Sequence, residues 1–206
     1  MSARPQLVLA SASPRRQVLL EQAGLSFTVE PSEVDETPPP DLDAEGVAVA
    51  LAERKAAIVA RAHAGAPVRV IGADTVVALE RELLGKPRDA DHARRMLQAL
   101  SGSRHRVVTG VCVVDCAEGG CSLAEFERTW VTMRPLSPGE IEAYVASDEW
   151  RGKAGGYAIQ ESADAFVTLI EEGGLDNVIG LPVALTLRLL GEIEKGQVDS
   201  SGRLPG

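Results

Sequence analysis

The chain has 206 residues, 45% of them hydrophobic and 25% charged, with a net charge of −9. That length carries a core and one or two domains, and the composition is that of an ordinary globular chain. The negative balance excludes a nucleic-acid polymer as partner, since such a partner needs a basic footprint, but a small phosphate-bearing ligand needs only a few local cations and stays open.

Three cysteines, Cys112, Cys116 and Cys121, stand without any Cys–His spacing and fit a reduced compartment. The apolar run in "MSARPQLVLAS" is too short for a signal peptide, and nothing approaches the length of a membrane span. The expectation is a soluble, cytoplasmic protein with no membrane partner.

In chain order, "QLVLA" reads as a short buried strand. Ser13 and Pro14 start a helix to about Ala23, which Gly24 can close. "SFTVE" is a strand, followed by an acidic loop that Pro38, Pro39 and Pro40 keep irregular. "AEGVAVALAERKAAIVARAHAG" is helical. "PVRVIGADTVVALERELLGKP" reads as strand, break, strand and turn. Asp89 caps a helix that ends at Ser101-Gly102. "RHRVVTGVCVVD" and "SLAEFERTWVTMRPL" flank "CAEGG" as an antiparallel hairpin. Ser137 and Glu140 form a capping box. A Gly-rich loop, "RGKAGGYAIQ", the strand "ADAFVTLIEEGG" and the helix "GLPVALTLRLLGEIEKG" follow. Residues 196–206 read as a disordered tail behind a single domain of residues 1–195. Interleaved strands and helices with an antiparallel hairpin point to an α/β fold with a mixed sheet.

Four features carry chemistry. In "SASPRR", Arg15 and Arg16 occupy the first turn of a helix, where the helix dipole disfavours cations. Free amides, two guanidinium forks and the hydroxyls of Ser11 and Ser13 would make an anion site; the plain alternative is two surface arginines. In "RVIGADTVVALE", Asp74 interrupts an apolar run, either as a functional carboxylate or as a turn residue. "SEVDET" offers Glu33, Asp35 and Glu36 as oxygen ligands for a divalent cation, or as a solvated loop. Lys55, Lys86 and Lys153 stand in small-residue or Gly-rich contexts that allow close approach of a ligand, although each alone reads as a surface residue. No Walker loop, G-x-G-x-x-G or Ser-His-Asp arrangement is present. Local cations, a buried acid, an acidic loop and lysines suit metal-assisted attack of water on a phosphoanhydride.

From about Leu7 to about Leu190 the chain resembles the Maf family of nucleoside triphosphate pyrophosphatases. The resemblance is carried by "LASASPRR", "EVDE", "LAERKA", "GADTVV", "LGKPRDADHARRML", "LSG", "TG", "KAGGYAIQ" and "NVIGLP", in this order and at these spacings. It implies an elongated mixed β-sheet with flanking helices and two lobes around a cleft, similar to the inosine triphosphate pyrophosphatases. It implies hydrolysis of a nucleoside triphosphate to the monophosphate and pyrophosphate with a divalent metal, Mg2+ or Mn2+. Ser11, Arg15, Arg16, Lys55 and Lys86 would hold phosphate. Glu33 and Asp74 would hold the metal. Asp74 would be the catalytic acid residue, drawing a proton from water or positioning metal and water. Lys153 would lie in the cleft. Arg15, Thr75 and Gln160 match the family branch acting on dTTP and UTP. An amide at Gln160 can donate to O4 of uracil or thymine while accepting from N3–H. The family usually has Gly after this glutamine, and Glu161 stands there instead. Two other readings remain beside the dTTP/UTP pyrophosphatase: a nucleotide-binding regulator of septum formation, and a 7-methyl-GTP pyrophosphatase. A homodimer is compatible with the family.

Overall fold

The computed structural model describes residues 5–160 and 162–200, with side chains described up to Gly196. Glu161 and residues 201–206, which hold most of the expected tail, lie outside them. The order is β1 (Gln6–Leu9), α1 (Pro14–Gln22), β2 (Phe27–Val29), α2 (Ala44–Ala62), β3 (Val68–Leu79), β4 (Glu82–Leu84), α3 (Ala90–Leu100), β5 (Arg104–Asp115), β6 (Ser122–Met133), α4 (Pro138–Ala146), β7 (Val167–Glu171), α5 (Leu175–Ile179) and α6 (Val183–Ser200). Short 3-10 turns cover Ala154–Gly156 and Ser162–Phe166. The strands form one sheet in the order β2-β1-β3-β5-β6-β7, with β4 paired to β3. β1 is parallel to β2 and β3, and the remaining pairings are antiparallel, so the sheet is mixed as expected.

The local signals account for most boundaries. Asp43 and Asp89 cap α2 and α3 by accepting from Gly46 N–H and His92 N–H. The Ser137–Glu140 capping box opens α4. Ser13 occupies the cap of α1 without a side-chain bond to the helix. α6 continues to Ser200, past the Gly196 expected to end it.

Between Val68 and Leu79 the strand–break–strand reading is corrected. β3 runs uninterrupted through Gly72, Ala73 and Asp74. The glycine serves close packing. A Cβ on Gly72 would lie 2.4 Å from the carbonyl oxygen of Ala52, and one on Gly110 of β5 would lie 2.2 Å from that of Ala48. The alanine-rich face of α2 therefore lies directly on the backbone of the two strands.

Alternation along β3 sends successive side chains to opposite faces of the sheet. Val70 packs with Ala52, Ala56 and Val59 of α2 on one face. Ile71 and Ala73 pack with Leu19 and Leu20 of α1 and Leu185 and Leu189 of α6 on the other. A separate cluster joins Val77, Val107 and Val131 to Leu97 and Leu100 of α3 and Tyr144 of α4. β3, β5 and β6 thus span two helical lobes. No helix among the described residues is long and apolar enough to cross a membrane.

Candidate active site

One edge of β3 is paired with β5 from Arg69 to Ala78. The other edge is paired with β1 only up to Ile71 and with β4 only from Val77. The interval between these pairings, residues 72–76, is centred on Asp74. A pocket of about 430 Å3 opens there, within the usual size range of small-molecule sites. Its lining includes Ser11, Arg15, Arg16, Lys55, Asp74, Thr75, Lys86, Lys153 and Gln160. Residues from five separate sequence segments thereby meet in one cleft. Five cations, Arg15, Arg16, Lys55, Lys86 and Lys153, line it against two carboxylates, Glu36 and Asp74. A chain of net charge −9 has gathered a locally positive cavity, which favours an anionic ligand.

Asp74 is buried and faces α2, where Lys55 is also buried. Lys55 Nζ lies 2.5 Å from Asp74 Oδ1 and 2.7 Å from Glu36 Oε1. A charge removed from water needs such partners, and each member of the set supplies them to the next. Glu36 also pairs with Lys86. Burial raises the Glu36 carboxyl, but hydrogen bonds from Lys55 and Lys86 outweigh it and hold the group at about 2. The acidic loop is shaped for this contact. Asp35 Oδ1 accepts from the Thr37 amide at 2.9 Å, and Arg54 of α2 donates to the carbonyls of Asp35 and Thr37. Glu33 is exposed and does not line the pocket, whereas Glu36 does.

Thr75, the next residue, faces the opposite side of the sheet. There the buried guanidinium of Arg16 donates to Gly180 O at 2.7 Å, Ser11 Oγ at 3.0 Å and Thr75 Oγ1 at 3.2 Å. Burial lowers the Arg16 pKa, and the nearby Asp74 carboxylate opposes the shift. The helix-start arginines therefore differ. Arg16 is locked in the fold, whereas Arg15 is half-buried and lines the pocket.

The far wall is carried by loops. Gly155 and Gly156 have positive φ angles of 69° and 74°. A Cβ at Gly155 would stand 3.1 Å from Val77, and one at Gly156 3.2 Å from Pro87. Tyr157 anchors this loop through a 2.6 Å hydrogen bond to His105 Nε2. Lys153 is buried on the loop and Gln160 is exposed at the pocket rim.

The Maf-like protein family model matches residues 6–193. The chain belongs to the Maf family. Three relatives are each 48% identical to it and are named dTTP/UTP pyrophosphatase: those of Pelotomaculum thermopropionicum, over 87% of this chain and 92% of the relative, Anaeromyxobacter sp. strain Fw109-5, over 90% and 88%, and Myxococcus xanthus, over 89% and 90%. A solved nucleoside-triphosphatase / dITP/XTP pyrophosphatase from Mycobacterium abscessus overlaps 64% of this chain and 75% of its own, at 19% identity and a TM-score of 0.40.

Three features of this Maf-family pocket escaped sequence reasoning. The contacts of Glu36 with Lys55 and Lys86 join three separate segments, which no local pattern announces. The Val178–Gly180 wall comes from α5, a five-residue helix with no periodic signal of its own. Tyr157 belongs to "KAGGYAIQ", but its partner His105 lies 52 residues away. No group of three or more His, Cys, Asp or Glu side chains suited to a metal occurs among the described residues. The donors that do fit a hard divalent cation are Asp74 and Glu36, two carboxylates on a single ammonium group, because such a cation takes one or two carboxylates together with phosphate oxygens and water.

Proposed function

We propose that the chain hydrolyses dTTP and UTP to the nucleoside monophosphate and pyrophosphate. The observation that carries this reading is the buried Asp74–Lys55 pair at the uncovered edge of β3, facing a cavity with five cations. The names of the relatives support the same substrates. Arg15, Lys86 and Lys153 would grip the triphosphate, with Arg16 and Ser11 shaping the helix start against it. Asp74 would orient a water against the α-phosphorus and take its proton. The new bond joins water oxygen to the α-phosphorus, the bond to the bridging oxygen breaks, and pyrophosphate leaves with that electron pair. Lys55, 2.5 Å from Asp74, would hold it aimed.

Asp74 and Glu36 would hold a divalent cation, Mg2+ or Mn2+, which when bound would polarise the phosphate oxygens and offset charge on the leaving group. Gln160, at the rim, would donate from its amide to O4 of the pyrimidine. The residue after it, Glu161, lies outside the described residues.

A panel of triphosphates with Mg2+ and Mn2+ tests the proposal. The expected result is pyrophosphate as first product, with dTTP and UTP preferred. Orthophosphate as first product, or preference for 7-methyl-GTP, would overturn it.

A further inference from the structure

Behind the pocket a buried polar chain crosses the sheet. Thr109 on β5 and Asn177 on α5 are fully buried, and neither lines the cavity. Thr75 Oγ1 and Thr109 Oγ1 are 2.9 Å apart, and Thr109 Oγ1 lies 3.0 Å from the main-chain oxygen of Asn177. Asn177 is itself fixed, because its Nδ2 donates to Val107 O at 3.1 Å and to Thr129 Oγ1 at 2.8 Å.

The donor inventory sets the direction of every link. A carbonyl oxygen only accepts, and a threonine hydroxyl carries one hydrogen. Thr109 must give its hydrogen to Asn177 O. The hydrogen between the two threonines therefore belongs to Thr75. Arg16 has donors alone, so Thr75 accepts from Arg16 Nη2. The chain runs one way, from Arg16 through Thr75 and Thr109 to the Asn177 carbonyl, and bonds aligned in this sense strengthen one another.

We propose that Thr109 is a positioning residue that holds Thr75 as a hydrogen-bond acceptor toward the pocket. The inference rests on the proposed pyrimidine triphosphate substrate. With its hydrogen directed into the sheet, Thr75 Oγ1 shows a ligand only a lone pair. A base edge that meets it must supply a donor. N3 of uracil and thymine carries a hydrogen, whereas N3 of cytosine is an acceptor and would face Thr75 lone pair to lone pair. Selection against cytosine would thus originate two side chains away from the ligand.

The test compares kcat/KM for UTP and CTP, read as pyrophosphate release, in the wild type, Thr109→Val and Thr109→Ser. Valine keeps the shape and removes the hydroxyl, which frees the Thr75 hydrogen to turn toward the pocket. The expected result is a loss of about tenfold in the preference for UTP over CTP in T109V, the scale of one mispaired polar contact. Thr109→Ser, which restores the hydroxyl, should stay within about twofold of wild type. In a Thr75→Val background, T109V should change the preference no further. Should T109V not fold, Thr109→Cys, whose thiol is a weak donor, carries the same expectation. A variant that turns over UTP with wild-type preference, or a drop that persists in the Thr75→Val background, would overturn the role of Thr109. A wild type that releases no pyrophosphate from any triphosphate would instead overturn the proposed function.

Discussion

The wall of the pocket on α1, α2 and β3 buries most of its charges, whereas the wall made by the segments around Lys86 and Gln160 leaves most of its polar groups near the surface. Arg16, Lys55 and Asp74 are each buried and each hydrogen-bonded inside regular elements. The Lys86 side chain is 53% exposed, and Gln160 is exposed on a loop. Lys153 is intermediate: it is buried, but on a loop whose position depends on two glycines and the Tyr157–His105 bond. Groups that must be placed to within fractions of an ångström are better held on strands and helices than on loops. The proposed division follows. The first wall would do the bond-breaking, and the second would shape the ligand.

The sharpest way to break this comparison is Asp74→Asn. It keeps the size of the side chain and removes its basicity, and pyrophosphate release should fall by about 10^2–10^4-fold, the usual contribution of a placed acid–base group. A variant with full rate would move the chemistry off the first wall. Next in size is Lys55→Met, which leaves Asp74 buried without its ion pair. Removing one partner of a buried pair costs about 3–5 kcal/mol, so the urea midpoint should drop markedly and activity should fall with it. An unchanged midpoint would mean that the first wall is less dry than its burial indicates.

A pH titration of stability probes the anchor of the second wall. Burial pushes the His105 imidazole down to about 4 from an ordinary 6.5. The folded state therefore resists protonation that the unfolded chain accepts. The contribution is complete above pH 6.5 and is lost as pH falls from 6.5 toward 4, by roughly 3 kcal/mol in all. His105→Gln, which cannot titrate, should flatten that part of the urea-midpoint profile. A profile identical to wild type would assign the acid sensitivity to another group. The smallest effect belongs to Lys86→Ala. Its ion pair with Glu36 joins two substantially exposed side chains, and such pairs are worth about 0–1 kcal/mol. Stability should hardly change, while KM for UTP should rise severalfold through the lost phosphate contact.

The same contrast explains what the sequence disclosed. "SPRRQVLLEQ", "DAEGVAVALAERK" and "DADHARRML" announce helices because caps and apolar spacing act within a few residues. The long hairpin is equally local, set by two β-branched runs around a small-residue turn. Asp74 stands out because a charge inside an apolar run is unusual, and Arg15 and Arg16 because cations at a helix start are disfavoured. "GAD" misleads because glycine has two uses. It reads as a break, yet Gly72 is there so that the α2 backbone can touch the strand, and that need is created by another element. The pairing of Glu36 with Lys55 and Lys86 and the Thr75–Thr109–Asn177 chain each join elements far apart in sequence. Contacts of this kind leave no trace in local pattern.

The continuity of β3, β5 and β6 has a mechanical consequence. Each strand is twelve residues long. At about 3.3 Å per residue each is a beam of about 40 Å running beneath both lobes. Two bodies joined by a thin linker can swing shut on a ligand, but bodies that share three hydrogen-bonded strands cannot do so without shearing the ladder between them. Adjustment to a nucleotide then falls to the segments that the beam does not carry, the acidic stretch before α2 and the glycine-rich stretch after α4. The stiff part of the molecule would set where Asp74 meets the ligand, and those two segments would set how firmly the ligand is grasped.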